Sequence, residues 1–184
     1  MLKGKNGNEI QEAKIIPPLT SAAITLLTKA TTVKLAKGVT VYTDIDSKIE
    51  DLAPELVGMN GWVLNADAQS NEGTIVEFET TAPVKIMVGY FRDDQKKFAK
   101  APTLETDASA NLFGQSEPVL INAVRFNGLP MVNVHAYSFN AGKNKLLLPK
   151  GLCLILGATN SMIETRNAGL AGTGKEETMD WMFY

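Results

Sequence analysis

The chain has 184 residues, 45% of them hydrophobic, which is enough to bury a full core, and its 18 Lys and Arg against 20 Asp and Glu leave a formal charge of −2. That balance, with no long basic run, offers no phosphate-tracking surface, so nucleic acid is not an expected partner. A single Cys and a single His exclude an internal disulfide framework, His-rich metal sites and Cys-His chemistry.

The first stretch, residues 1–37, differs from the rest. It is polar to Asn8, carries Pro17-Pro18, and then runs through Thr, Ala and Leu. Thr20 suits the cap of a short helix from Ser21 to Lys29, with Ala22, Ala23, Leu26 and Leu27 along one side, before Thr31 and Thr32 favour extended chain. The expectation is an N-terminal extension or linker over 1–37, partly helical, ahead of one domain over 38–184. Ile15 to Leu27 is interrupted by the Pro pair and followed by no clear small-residue cleavage site, so it is not read as a signal peptide. No apolar stretch approaches the roughly 20 residues that cross a bilayer, and no membrane span is expected.

From Val39 onward the period becomes two. Val39 and Val41 alternate with Thr40 and Tyr42, Trp62 and Leu64 with Val63 and Asn65, and Val76 and Phe78 with Glu77 and Glu79. The clearest run places Val84, Ile86, Val88 and Tyr90 on one face and Lys85, Met87, Gly89 and Phe91 on the other, which predicts a strand with one buried face. Pro118 to Phe126, Met131 to Phe139, Lys145 to Leu148 and Leu152 to Gly157 continue the series. Asn127-Gly128-Leu129-Pro130, Asn140-Ala141-Gly142 and Pro149-Lys150-Gly151 separate them with turn chemistry. Strands that follow one another without long helical patterns predict an all-β antiparallel sandwich or barrel. Cys153, inside the apolar run Gly151 to Gly157, is expected to be a buried small hydrophobe. The stretch from Asp93 to Glu117 is longer than a hairpin connection, and loops of that length tend to carry function.

Several of these segments resemble a known arrangement. Val41-Tyr42-Thr43-Asp44, Leu52 to Gly58, Trp62 to Asp67, Val76 to Glu79 and Pro83 to Tyr90 run in the order seen in a β-sandwich accessory domain of bacterial polysaccharide-degrading enzymes. Tyr137 to Gly142 followed by Leu146-Leu147-Leu148 is similar to the closing hairpin of that domain. The resemblance spans roughly Lys37 to Thr159. It implies a jelly-roll, galactose-binding-like fold attached to or associated with glycoside hydrolases or polysaccharide lyases, often in gut bacteria such as Bacteroides, and hence a secreted, periplasmic or cell-surface location. It implies no activity and transfers no ligand site.

Gly169-Leu170-Ala171-Gly172-Thr173-Gly174-Lys175 has the glycine and lysine spacing of a phosphate-binding loop, but Glu176 stands where Ser or Thr would hold Mg²⁺. The expected role is a Gly-rich connection. His135 lies on one strand face with Asn133, Tyr137 and Phe139, and reads as a hydrogen-bonded or ligand-facing histidine. The loop acids Asp44, Asp46, Asp93 and Asp94 read as solvated carboxylates, with hard oxygen ligands suited to a structural Ca²⁺; no other cofactor is implied. A pyranose stacks its C–H face on an aromatic ring and needs polar partners for its hydroxyls. The rings on offer are Trp62, Tyr90, Phe91, Tyr137, Trp181 and Tyr184, with Trp62 and Tyr90 expected inside. Tyr137, His135 and Asn133 form the expected exposed set, joined by Arg92, Asp93 and Arg125 as hydroxyl partners. The apolar, aromatic end Thr178 to Tyr184 is expected to pair or dock against the sandwich.

Three functions follow in order. The first is a non-catalytic, carbohydrate-binding-like module with a polysaccharide or oligosaccharide partner and a neighbouring catalytic domain. The second is a structural domain that packs on such a neighbour without binding sugar. The third is a glycoside hydrolase or lyase using loop carboxylates.

Overall fold

The structure, a computed structural model, describes residues 15–102 and 115–170. In chain order it contains β1 (Thr25–Leu26), β2 (Thr31–Lys34), β3 (Ile49–Leu52), a 3₁₀ turn (Pro54–Leu56), β4 (Asn60–Val63) and helix α1 (Ala66–Glu72). There follow β5 (Thr74–Thr80), β6 (Val84–Phe91), β7 (Gln115–Phe126), β8 (Val132–Phe139), β9 (Gly142–Leu148), β10 (Leu154–Thr159) and β11 (Arg166–Asn167). Among the described residues the protein is all-β with one short α-helix. Its main sheet has the order β10-β6-β8-β7-β11, with β3 also pairing β7; a second sheet has the order β1-β5-β9, and β2 pairs β4. Pairing between strands is antiparallel except for β11 on β7.

Strand β6 explains the layering. Val84, Ile86, Val88 and Tyr90 share a core with Val76 and Phe78 of β5, Leu146 and Leu148 of β9, and Trp62. The opposite face carries Met87 and Phe91 into a second core with Leu35, Leu56, Met59, Leu120, Val132 and Val134. The sequence predicted one buried face; both are buried, because β6 lies inside the main sheet between two packed layers. Each fully buried large apolar side chain contributes about 1.5–3 kcal/mol, so the alternation of this strand anchors two cores at once. Trp62 and Tyr90 lie inside, as their strand positions suggested.

The helix expected from Ser21 to Lys29 does not form. Thr25 and Leu26 pair instead with Glu79 and Phe78 of β5, and Leu26 packs on the second sheet's core. Edge pairing of a β-branched, Pro-preceded segment outweighs a weak local helix preference. The helix that does form, α1, was not anticipated. Asn65 caps it by accepting from the Ala68 N–H at 2.8 Å, and Asp44 accepts from the Ala66 and Asp67 N–H groups at 2.8 and 3.0 Å. Those backbone bonds hold the Asp44 carboxyl below its ordinary range. Gln69 then fastens α1 to the core, its amide donating to Thr74 Oγ1 at 2.9 Å and to the Cys153 carbonyl at 3.1 Å. Cys153 is buried, as expected of it. No helix among the described residues is long and apolar enough to cross a membrane.

Candidate functional site

Along β8 the residues Asn133, His135 and Tyr137 share one face, set opposite Tyr90, Val88 and Ile86 of β6. The β5–β9 layer covers only part of that face. Tyr137 lies under it in the core, whereas His135 and Asn133 lie beyond the cover and line an open pocket of about 760 Å³. Tyr90 closes its floor, with its ring edge-on to His135 at a centroid distance of 5.2 Å.

Arg92, Asp93 and Asp94 follow directly from the end of β6 and form one wall, and Ala99 to Pro102 form the rim beside them. That rim is held in place by backbone: Ala99 N–H donates to the Leu152 carbonyl at 3.0 Å, and Leu152 N–H donates to the Lys97 carbonyl at 2.8 Å. Pro118 and Ile121 of β7 complete the opposite side. Asp93, Asp94 and Ala99 to Pro102 of the long loop therefore do reach the site; residues 103–114 lie outside the described residues.

Four of the sequence candidates, Arg92, Asp93, Asn133 and His135, converge on this pocket. Two do not. Tyr137 was expected on an exposed face, but it is 1% exposed; its hydroxyl hydrogen-bonds that of Tyr90, and burial raises both phenols above their ordinary pKa. The physical reason is the layer above it, which alternation along β8 alone does not reveal. Arg125 sits further along β7, where it pairs with Glu50 at 3.3 Å, and it does not line the pocket.

The electrostatics of the floor are set by burial. Desolvation pushes the His135 imidazole down to about 4, so it is neutral at pH 7 and offers a hydrogen bond rather than a charge. Its Nδ1 lies 3.2 Å from Ser116 Oγ. On the wall, Asp93 turns back on its own loop and accepts from the Gln95 N–H at 2.8 Å. Among the described residues no group of three or more His, Cys, Asp or Glu side chains is placed to hold a metal ion. Among them, too, the large exposed apolar side chains are all aliphatic or Met, with no ring among them; the rings at the pocket, Tyr90 and Phe91, are themselves largely buried. Trp181, Tyr184 and the rest of the aromatic end lie outside the described residues, as does most of the Gly-rich stretch from 169 to 175.

The sequence passed over Lys100, Pro118 and Ile121, which line the pocket, and Asn122 behind it. Asn122 lies within the β7 register shift between Leu120 and Val124, at φ 54° and 3% exposed. No alternation pattern marks such a bulge in advance.

The chain matches no protein-family model and no curated protein. It does match a solved structure. That structure is a GH138 enzyme targeting the pectin rhamnogalacturonan II, similar at a TM-score of 0.81 and 42% sequence identity over 89% of this chain. The match occupies 19% of the enzyme's chain, so the present chain spans about a fifth of that protein's length. The similarity joins this all-β unit to a carbohydrate-active enzyme.

Proposed function

We propose that the chain is a non-catalytic β-sandwich module that binds carbohydrate in the pocket between β6, β7 and β8 and works beside a polysaccharide-degrading catalytic domain. The observation that carries this reading is the convergence of Arg92, Asp93, Asn133 and His135 on one open pocket. A neutral imidazole, an amide, a guanidinium and a carboxylate together match the donors and acceptors of a sugar hydroxyl array. Similarity to part of a pectin-targeting enzyme supports a pectic glycan as the ligand; the accessory type proposed is galactose-binding-like. The setting proposed with it is secreted, periplasmic or cell-surface, where such a polymer is met. Tethering a weak pocket to a catalytic neighbour makes the second encounter intramolecular and raises occupancy without strong intrinsic affinity.

The hydrolase reading is less well supported. Glycoside hydrolysis needs two carboxyl groups facing each other across the bond, roughly 5 to 9.5 Å apart. Among the described residues, the carboxylates of this pocket are Asp93 and Asp94, neighbours in the chain on a single wall.

The test is affinity electrophoresis of the purified chain against rhamnogalacturonan II and a panel of plant and host polysaccharides, with and without Ca²⁺. The expected result is retardation in a pectic gel that Arg92→Gln and Asp93→Asn each abolish while leaving the melting temperature unchanged. Absence of retardation across the panel would overturn the reading in favour of a structural domain that packs on a catalytic neighbour.

A further inference from the structure

The pocket floor is backed by a row of hydroxyls. Ser116 of β7 is the cross-strand partner of Tyr137 on β8, so the two side chains share the sheet face that also carries His135. Ser116 hydrogen-bonds on both sides, to the Tyr137 hydroxyl and to Nδ1 of His135, which lies 3.2 Å from its Oγ. Tyr137 in turn hydrogen-bonds the hydroxyl of Tyr90. Tyr90, Tyr137, Ser116 and His135 therefore form one connected row that begins in the core and ends on the ring that lines the pocket.

Such a row has two directions of donation, and burial at its inner end selects one. Tyr90 and Tyr137 are 2% and 1% exposed, and among the described residues the Tyr90 hydroxyl has Tyr137 as its one hydrogen-bond partner. A buried O–H left without an acceptor carries its full desolvation penalty. Tyr90 therefore donates to Tyr137, Tyr137 gives its own proton to Ser116, and Ser116 donates to Nδ1 of His135. The imidazole is neutral at pH 7, since burial holds it down to about 4, and a neutral ring that accepts at Nδ1 carries its proton on Nε2. The nitrogen left for the pocket is then a donor. Acceptors stand across from it, the carboxylates of Asp93 and Asp94. A hydroxyl matches both, because it accepts from an N–H and donates to a carboxylate at once.

We infer that Ser116 is a positioning residue that holds His135 as its Nε2–H tautomer, so that the pocket floor donates a hydrogen bond to a hydroxyl oxygen of the bound sugar. The donor role toward sugar rests on the carbohydrate-binding reading above. Ser116 does not line the pocket and acts through the ring it holds.

The chain has a single histidine, so long-range ¹H–¹⁵N correlation spectra of the ¹⁵N-labelled protein at pH 7 report this ring alone and show which nitrogen carries the proton. The expected result for the unaltered chain is the Nε2–H tautomer. Ser116→Ala removes the donor to Nδ1 and is expected to give a mixture of tautomers, while Ser116→Thr, which restores a hydroxyl, returns the ring to Nε2–H. Titration with rhamnogalacturonan II is expected to move the Nε2 resonance more than that of Nδ1 and to draw the Ser116→Ala ring back to the Nε2–H form, since a ligand shifts the population toward the state it binds. Ser116→Ala should bind about twofold more weakly, the factor set by halving the competent population. An Nδ1–H ring in the unaltered chain, or a tautomer ratio that Ser116→Ala leaves unchanged, would overturn the positioning role while leaving a sugar-binding module. Backbone amide shifts that report binding while Nε2 stays unmoved would overturn the donor role. Absence of any shift, together with no retardation across the polysaccharide panel, would overturn the carbohydrate reading itself and the donor role with it.

Discussion

Arg166 grips Glu55 with two hydrogen bonds of 2.7 Å, one from Nε and one from Nη2. The pair joins β11, which lies parallel on β7, to the 3₁₀ turn after β3, and so holds β11 behind the bulge at Asn122. Burial alone raises the Glu55 carboxyl, but the hydrogen bonds and charge of Arg166 outweigh it and hold the group below its ordinary value.

Loss of this pair therefore has a defined pH signature. A carboxyl depressed in the folded state contributes stability that is fully present above its unfolded pKa and is lost as pH falls through the folded one. Arg166→Ala is expected to cost about 2 kcal/mol, the scale of hydrogen bonds to a charged group, at neutral pH and progressively less in acid. Urea unfolding at pH 7 and pH 3 measures both; an equal cost at the two values would contradict the assignment.

The neutral His135 makes a second pH prediction. Its folded pKa of about 4 against the ordinary 6.5 means that the unfolded chain binds the proton more readily between those values. Stability is then full above about pH 6.5 and falls as pH drops toward 4, by on the order of 3 kcal/mol at 1.4 kcal/mol per unit. Its ring protons followed by NMR should titrate near pH 4, and ligand binding should be flat from pH 6 to 8. A midpoint near 6.5 would show an exposed, ordinary imidazole.

How much of this was legible in the residues depends on distance along the chain. Alternation in Val84 to Phe91 and in Met131 to Phe139 sorted side chains onto faces correctly, because period two is a local property of extended backbone. It could not say which part of a face another layer covers. Hence Tyr137 and His135, two residues apart on the same face, were read alike, yet one is sealed under β5 and β9 while the other opens into the pocket. Helix α1 carried a readable signal that was passed over: Asn65 as cap, Asp67 in the first turn and Gly73 at the stop. The bulge at Asn122 carried none, since it exists through its partners on β8 and β11.

Cys153 should behave as core. Burial pushes its thiol up to about 12, and it has no exposed surface. At pH 8 the native chain is expected to react with a disulfide reagent only as fast as it opens, with prompt stoichiometric reaction in guanidinium chloride. Rapid labelling of the folded protein would place the thiol at the surface.

Gly151 links the core to the pocket rim most directly. It has φ 120°, and a Cβ added there would lie 2.6 Å from the Phe98 carbonyl carbon and 2.8 Å from Ala99 Cα, both backbone atoms that have no rotamer with which to yield. The close approach lets Leu152 pair with the 97–99 segment, and that segment leads into Ala101 and Pro102 on the rim. Gly151→Ala meets both a left-handed backbone and a backbone clash, and is expected to destabilise the fold by about 2–4 kcal/mol. It should also weaken ligand binding in the fraction that remains folded, because the rim must shift outward to make room. Asn127→Ala in the exposed turn before β8 is the matched control. Its side chain makes no hydrogen bond among the described residues, while its backbone carbonyl still accepts from Ser47 Oγ at 2.6 Å. Denaturant unfolding and sugar titration of both variants decide the matter: a Gly151→Ala protein as stable as the control, with unchanged affinity, would mean that the rim is not positioned by this contact.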